Sequence, residues 1–351
     1  MDRNLALEFV RVTEAAAIAA AGWIGRGDKH AADQAAVDEM RARFNQIDFA
    51  GTVVIGEGSK DEAPELYTGE KVGLGWNAPF PNPSRGGKGN TIFMDLAVDP
   101  LEATDSVAHG RYNAISVIVA GAKDSLLGAP DVYMDKIAAG PRAAKVIDME
   151  ASVADNIKNV AKALGKDVKD ITVIVLERER HEKLMSEIRK AGARVRTITD
   201  GDVAGAIAPS MPDSGIDLLM GIGASTEAVL AAAAIKILGG EILCRFAPKD
   251  EKQKKAIEDA GIKDLKKVYS REDLATGDNL TFTATGVIDG PLLRGVQFTD
   301  HRITTHSVVM RALSGTVRYI TTNHKVHPVR NSLPQGPSGA LSAGEISNGV
   351  K

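Results

Sequence analysis

The chain has 351 residues, of which 44% are hydrophobic and 25% charged, and a formal net charge of −3. That length suits one large domain or two packed halves, and the charge excludes a general attraction to nucleic acid or an anionic membrane. Cys244 is the only cysteine, which excludes an intrachain disulfide and a cysteine-built metal cage.

From Leu5, the segment LALEFVRVTEAAAIAAAGWIG sets Leu5, Phe9, Val12, Ala16 and Ala19 on one stripe and predicts an amphipathic helix. Its stretch Ala15–Gly25 resembles a signal-peptide core. Glu8, Arg11 and Glu14 precede it at helical spacing, and it is far short of a membrane span, so a soluble cytoplasmic chain is expected. Gly25 and Gly27 interrupt the pattern, and a second helix is expected from about Ala31.

FAGTVVIGEG, Phe49 to Gly58, reads as a buried strand ending in a glycine-flanked Glu57, and SKDEAPELY as an acidic turn. Gly73 to Asn90 is dense in Pro, Gly and Asn and reads as a long loop, with Arg85 and Lys88 as solvated tip charges. TIFMDLAVD and RYNAISVIVAG follow as two strands expected to pair.

The second half changes rhythm. ITVIVLER, ARVRTITDGD, IDLLMGIG and EILCRFAP read as strands, with helices in ERHEKLMSEIRKAG, VAGAIAPS and ASTEAVLAAAAIKILGG between them. This order predicts a largely parallel sheet with helices on both faces and ligands beyond the carboxyl ends of its strands. Three such ends are polar or glycine-rich: ERER after Leu176, DGD after Thr199, and GIGAST at Gly221 to Thr226. More strands follow, and residues 329–351, rich in Gly, Pro and Ser, are expected to form a disordered tail.

Carboxylates recur at element ends: Asp28 and Asp33, then Glu57, Asp61 and Glu62, then Asp99, Glu102 and Asp105. Each group alone reads as a solvated turn. Gathered in one cleft they would repel unless protonated or neutralised by a cation, and oxygen-only donors suit Mg²⁺ or Mn²⁺. From spacing alone, a divalent-metal site and a set of solvated turns both stay open. Lys29, Arg178, Arg180 and His181 are the candidate anion-binding groups, and the helix after Gly223 could offer backbone N–H groups. Acids first, with basic and glycine-rich elements second, suggest a phosphate ester held between them.

The run D-P-L-E-x-T at Asp99–Thr104 resembles the metal-binding signature of the lithium-sensitive sugar phosphatases, usually Asp-Pro-Ile/Leu-Asp-Gly-Thr. With GRGDKxxAD, VVIGEGxxDEAP, DxYMxK, RH and DGDVA in the same order, the chain resembles the class II fructose-1,6-bisphosphatases from about Asp2 to Arg318. The resemblance implies a layered αβαβα sugar-phosphatase fold with two packed sheet-containing halves. Residues 1–145 would carry the metal-binding groups and 146–328 the substrate-binding groups. It implies a homodimer or homotetramer that uses Mn²⁺ or Mg²⁺ to hydrolyse the 1-phosphate of fructose 1,6-bisphosphate in gluconeogenesis or sugar-phosphate metabolism. Some members also accept sedoheptulose 1,7-bisphosphate.

Carried over residue by residue, the resemblance implies Asp33, Glu57, Asp99, Glu102 and Glu227 as metal ligands. It implies Thr104 as the hydroxyl orienting the attacking water, Asp61 as an acid helping to activate it, and Lys29 as a basic residue beside the phosphate. Substrate contacts would come from Glu102, Ala103, Thr104, Tyr133, the Arg178-Glu179-Arg180 segment, Asp200-Gly201-Asp202 and Ala224.

Four features depart from the family pattern. Ala103 replaces glycine, at a cost of about 1 kcal/mol if its φ is positive. GIGASTEA stands where the family has GIGGxPEG, Glu179 replaces a proline before Arg180-His181, and the Gly73–Asn90 loop is long. None removes a metal ligand. A phosphatase for another sugar or cyclitol phosphate and a sugar-phosphate-binding regulator without turnover are the alternatives. A dinucleotide fold is disfavoured because Thr226 breaks the G-x-G-x-x-G pattern.

Overall fold

The structure, a computed structural model, describes residues 5–56, 66–76 and 91–325. Glu57, Asp61 and Glu62, most of the expected Gly73–Asn90 loop with Arg85 and Lys88, and the expected tail lie outside the described residues.

Helices α1 (Leu5–Ala21) and α2 (Lys29–Phe44) open the chain, followed by strands β1 (Ala50–Ile55), β2 (Lys71–Val72) and β3 (Phe93–Glu102). Helix α3 (Thr104–His109), β4 (Ala114–Gly121), β5 (Tyr133–Ala139), α4 (Val153–Leu164) and β6 (Thr172–Leu176) come next. Then follow α5 (Glu182–Lys190), β7 (Arg194–Ile198), α6 (Asp202–Ile207), β8 (Leu218–Ala224), α7 (Ser225–Leu238) and β9 (Glu241–Phe246). The last elements are α8 (Glu251–Asp259), β10 (Tyr269–Ser270), α9 (Arg271–Leu274), β11 (Thr281–Ile288), β12 (Gln297–Thr299), β13 (Arg302–Arg311) and β14 (Thr316–Lys325).

Of the expected stripe of α1, Leu5, Phe9, Val12 and Ala16 lie on its buried face with Ala17 and Ala20 beside them, while Ala19 is only half-buried. Helix α2 starts two residues earlier than expected, because the Asp28 side chain accepts the Ala31 N–H at 3.0 Å and caps the first turn. Phe9, Phe44 and Phe49 tie the two helices to β1 through edge and tilted ring contacts 5.5–6.1 Å apart.

Among the described residues the strands form two mixed sheets. The first runs β12-β13-β11-β4-β3-β1-β2, with β14 along the other edge of β13. Here β3 and β4 pair as expected, and they run antiparallel, from Asp95 opposite Gly121 to Glu102 opposite Ile115. The second runs β10-β9-β5-β8-β6-β7.

The expectation of a largely parallel second sheet needs correction. β6 runs parallel to β7 and β8, but β5 lies between β8 and β9 and is antiparallel to both. Sequence reading missed β5 as a strand because Asp135 and Lys136 interrupt its apolar pattern. Sheet membership also does not follow the expected break at residue 145: β5 joins the second sheet, and β11 to β14 return to the first.

The layers are α-β-α-β-α. Helices α1 and α2 pack on the outer face of the first sheet, and α4 and α5 on the outer face of the second. Helix α7 touches strands of both sheets. Its run Ala231 to Ala234 is buried on every side, and such small side chains let two sheets approach one helix from opposite directions. Among the described residues no helix is long and apolar enough to cross a membrane.

Candidate active site

The acidic strand end is shaped by a break in β3. In a regular strand, residues three apart face opposite sides, so Asp99 and Glu102 should diverge. The pairing of β3 with β4 shifts register between them, across Pro100, and both carboxylates face one cleft. Ala103 then turns the chain with φ 78° and ψ 51°, a left-handed conformation, and Thr104 opens α3. The strain expected at Ala103 is therefore present.

The cleft, about 230 Å³, lies between the two sheets. The first sheet contributes Asp99, Glu102, Ala103 and Thr104, and the second contributes Tyr133, Arg178, Arg180, Asp200, Asp202, Gly223, Ala224 and Glu227. All three polar strand ends singled out in the sequence thus converge here.

Glu102 is buried, and its Oε1 accepts the Val203 N–H at the start of α6, at 3.1 Å. Its Oε2 is buried without a hydrogen-bond partner among the described residues. Burial, with the nearby charges of Asp200, Glu227 and Asp202, holds this carboxyl well above its usual range. Glu227, in the first turn of α7, is pushed up to about 7, chiefly by burial and against the pull of Lys136. Asp200 is raised by burial too, although Arg178 opposes the shift.

On the opposite wall, Arg178 donates to the carbonyls of Thr199 at 2.5 Å and Glu177 at 2.9 Å, and stands 3.5 Å from Asp200 Oδ1. Arg180 donates through Nε and Nη2 to the Ile222 carbonyl, and its guanidinium lies over the Tyr133 ring, 4.7 Å from the centroid. Two arginines anchored through backbone carbonyls are pre-set for an anion.

Several expected site residues sit elsewhere. Glu179 is exposed and is not among the cleft-lining residues, because the short turn Glu179–His181 points it outward between the two arginines. His181, expected to bind an anion, turns inward instead. It is buried, its Nδ1 meets the Leu176 carbonyl at 2.6 Å, and its Nε2 accepts the Ile222 N–H at 2.7 Å. Lys29 lies 3.5 Å from Asp105 Oδ1 at the start of α2, and Asp33 follows one turn later on that helix, which packs against α3 and β3. Glu57 and Asp61 lie outside the described residues. Among the described residues no three His, Cys, Asp or Glu side chains stand close enough to share a metal ion.

Two residues were missed by sequence reasoning. Lys136, on β5, is buried and ion-paired with Asp202. Its only signal was the last position of DxYMxK. Asn113, with φ 73°, donates its Nδ2 to the carbonyls of Asp200 at 3.0 Å and Gly201 at 3.1 Å. It pins the DGD turn to the first sheet, and nothing in its local sequence distinguishes it from an ordinary turn asparagine.

The donor chemistry fits a hard divalent cation. Every acidic group at the cleft offers oxygen, and the buried Oε2 of Glu102 is an acceptor without a donor among the described residues, amid like charges. Carboxylates from both walls, facing the guanidinium groups of Arg178 and Arg180 in a layered α/β fold, suit a phosphoric monoester hydrolase of the sugar-phosphatase type. The chain matches the family described as bacterial fructose-1,6-bisphosphatase, glpX-encoded, over residues 3–324, and belongs to it. It is 42% identical to the fructose-1,6-bisphosphatase class 2 of Haemophilus influenzae over 337 residues, 92% of this chain and 97% of that one. It is 41% identical to a D-fructose 1,6-bisphosphatase class 2/sedoheptulose 1,7-bisphosphatase of Synechococcus over 336 residues, 92% of this chain and 96% of the relative. The family resemblance read from the motifs is borne out.

Proposed function

We propose that the chain hydrolyses the 1-phosphate of fructose 1,6-bisphosphate, and of sedoheptulose 1,7-bisphosphate as a second substrate, releasing inorganic phosphate and the sugar monophosphate. The observation that carries this reading is Glu102: a buried carboxylate with one oxygen unpartnered among the described residues, in a cleft whose far wall carries Arg178 and Arg180. Asp33, Glu57, Asp99, Glu102 and Glu227 would hold Mn²⁺ or Mg²⁺. Such an ion, when bound, lowers the pKa of water and neutralises charge on a phosphoryl group.

The chain's own residues do the rest. The Thr104 hydroxyl, at the first position of α3, and Asp61 orient the attacking water. Lys29 balances charge beside the phosphate. Arg178 and Arg180 grip the distal phosphate, and Tyr133 packs against the sugar. Asp200 and Asp202, on either side of Gly201, accept from sugar hydroxyls, while Ala103 and Ala224 border the sugar with small side chains. Glu179 points away from the cleft, and we assign it no contact. The protein would act in the cytoplasm as a homodimer or homotetramer.

The test is phosphate release from a panel of sugar mono- and bisphosphates with Mg²⁺ and Mn²⁺ compared. Glu102→Gln and Asp99→Ala should abolish release from the bisphosphates, and Arg178→Ala should raise KM for a bisphosphate far more than for a monophosphate. Full metal-dependent activity in Glu102→Gln would sink the site, and a preference for monophosphates would sink the substrate.

A further inference from the structure

Lys136 occupies an unusual place for a lysine. It lies mid-strand in β5, between Gly221 of β8 and Cys244 of β9, and is only 2% exposed. Lysine is almost never fully buried unless paired, because an ammonium group loses its hydration there. Its Nζ is ion-paired with Asp202 Oδ2 and lies 3.9 Å from Glu227 Oε2. Thr226 Oγ1 donates to that same Glu227 oxygen at 3.4 Å. One oxygen of Glu227 is thus engaged from behind, and the residue itself lines the cleft.

The backbone makes room for this arrangement. A Cβ at Gly223 would stand 2.0 Å from Asp202 Oδ2 and 2.8 Å from Lys136 Nζ. Only glycine lets the ion pair and the strand share that space. Asp202 and Glu227 come from the starts of α6 and α7, different elements whose like charges repel. A fixed cation between them is what holds both carboxylates at the same wall. A buried ion pair is poor evidence for stability alone, since apolar replacements often fold as well. Here the ammonium serves two acids at once, and both line the cleft.

We propose that Lys136 is a positioning residue: an internal cation that holds Glu227 by one oxygen so that the other is presented to the divalent ion. This rests on the reading of Glu227 as a metal ligand. Lys136 touches neither substrate nor reacting atoms. Two effects compete when it is removed. Loss of a positive charge would draw a cation in, whereas loss of the anchor would let Glu227 turn away. The second dominates, because the hydrogen bond left from Thr226 Oγ1, at 3.4 Å, is long and weak beside the repulsion of the neighbouring acids.

The experiment measures Mn²⁺ binding to the metal-free full chain by titration calorimetry, with no substrate present. Lys136→Met should weaken binding about 10- to 100-fold, as loss of an outer partner of a metal ligand does. At saturating Mn²⁺, kcat should fall while KM for the sugar bisphosphate changes little. Should Lys136→Met fail to fold, the double variant Lys136→Met/Asp202→Asn removes both buried charges together and is read by Mn²⁺ binding alone, since Asp202 is itself assigned a sugar contact. Wild-type or tighter Mn²⁺ binding in either folded variant overturns the proposal. Glu227→Gln separates the two levels. Unchanged Mn²⁺ binding in that variant would overturn the ligand reading and the proposal with it. Weakened binding there, with Lys136→Met unchanged, overturns the proposal alone.

Discussion

Gly201→Ala should be among the most damaging single-methyl additions in the molecule. Gly201 has φ 88°, a conformation that costs an L-residue about 1 kcal/mol or more. A Cβ there would also stand 1.7 Å from Asn113 Nδ2 and 2.7 Å from its Cγ. Asn113 is completely buried and cannot swing into solvent, so it must give up its bonds to the Asp200 and Gly201 carbonyls. Each such bond contributes about 1 kcal/mol, which brings the total to about 3 kcal/mol. For a chain of this size that lowers the melting temperature by about 4 °C. Thermal and urea unfolding measure it, and a double-mutant cycle with Asn113→Ala isolates the cause. Asn113→Ala forfeits the same two bonds and also vacates the space, so the double variant should lose about 2 kcal/mol less than the two single losses taken together. Additivity within about 0.5 kcal/mol would refute the clamp. Because Asp200 and Asp202 flank the turn, kcat/KM for the bisphosphate should fall in both single variants.

Ala103→Gly should act in the opposite direction. Relief of the left-handed strain outweighs the added freedom of the unfolded chain, giving about 0.5–1 kcal/mol of stabilisation; a lower melting temperature would refute it. For His181, burial lowers the folded-state pKa, so the native protein prefers the neutral ring. Its contribution to stability is fully present above the unfolded value of about 6.5 and is lost as pH falls toward the depressed native one. Protonation of Nε2 would also break its bond to the Ile222 N–H, behind the carbonyl that anchors Arg180. Unfolding free energies at pH 7.5 and 5.5 should therefore differ more for the wild type than for His181→Asn, and equal differences would refute this. Chelation should abolish phosphate release, with recovery on adding Mn²⁺ or Mg²⁺. Release that persists in chelator would exclude a divalent-metal mechanism.

Much of the fold was legible because its signals are local. The stripe of α1, the existence of α2, the β3–β4 pair and the alternation from β6 to β9 all follow from residues within a few positions of one another. The crowding of Asp99 and Glu102 around Pro100 was equally plain, and so were the three polar strand ends that meet in the cleft. β5 was not, because Asp135 and Lys136 look foreign to a buried strand when read alone. Lys136 is acceptable there only because Asp202 lies 66 positions away in sequence and Glu227 further still.

The outcome for ERERH shows the same division. Composition identified it as a cationic segment after a strand, and that much was determined by the sequence. Which of its side chains face the cleft was decided by the turn Glu179–His181 and by β8 alongside it, since Ile222 offers its carbonyl to Arg180 and its N–H to His181. Residue types and their spacing thus determined the chemistry available to this chain: oxygen donors, guanidinium groups and a hydroxyl at the start of a helix. Only the tertiary structure decided which of them converge. Burying a charge or a backbone polar group is unfavourable until a partner arrives, and here the partners are distant in the chain.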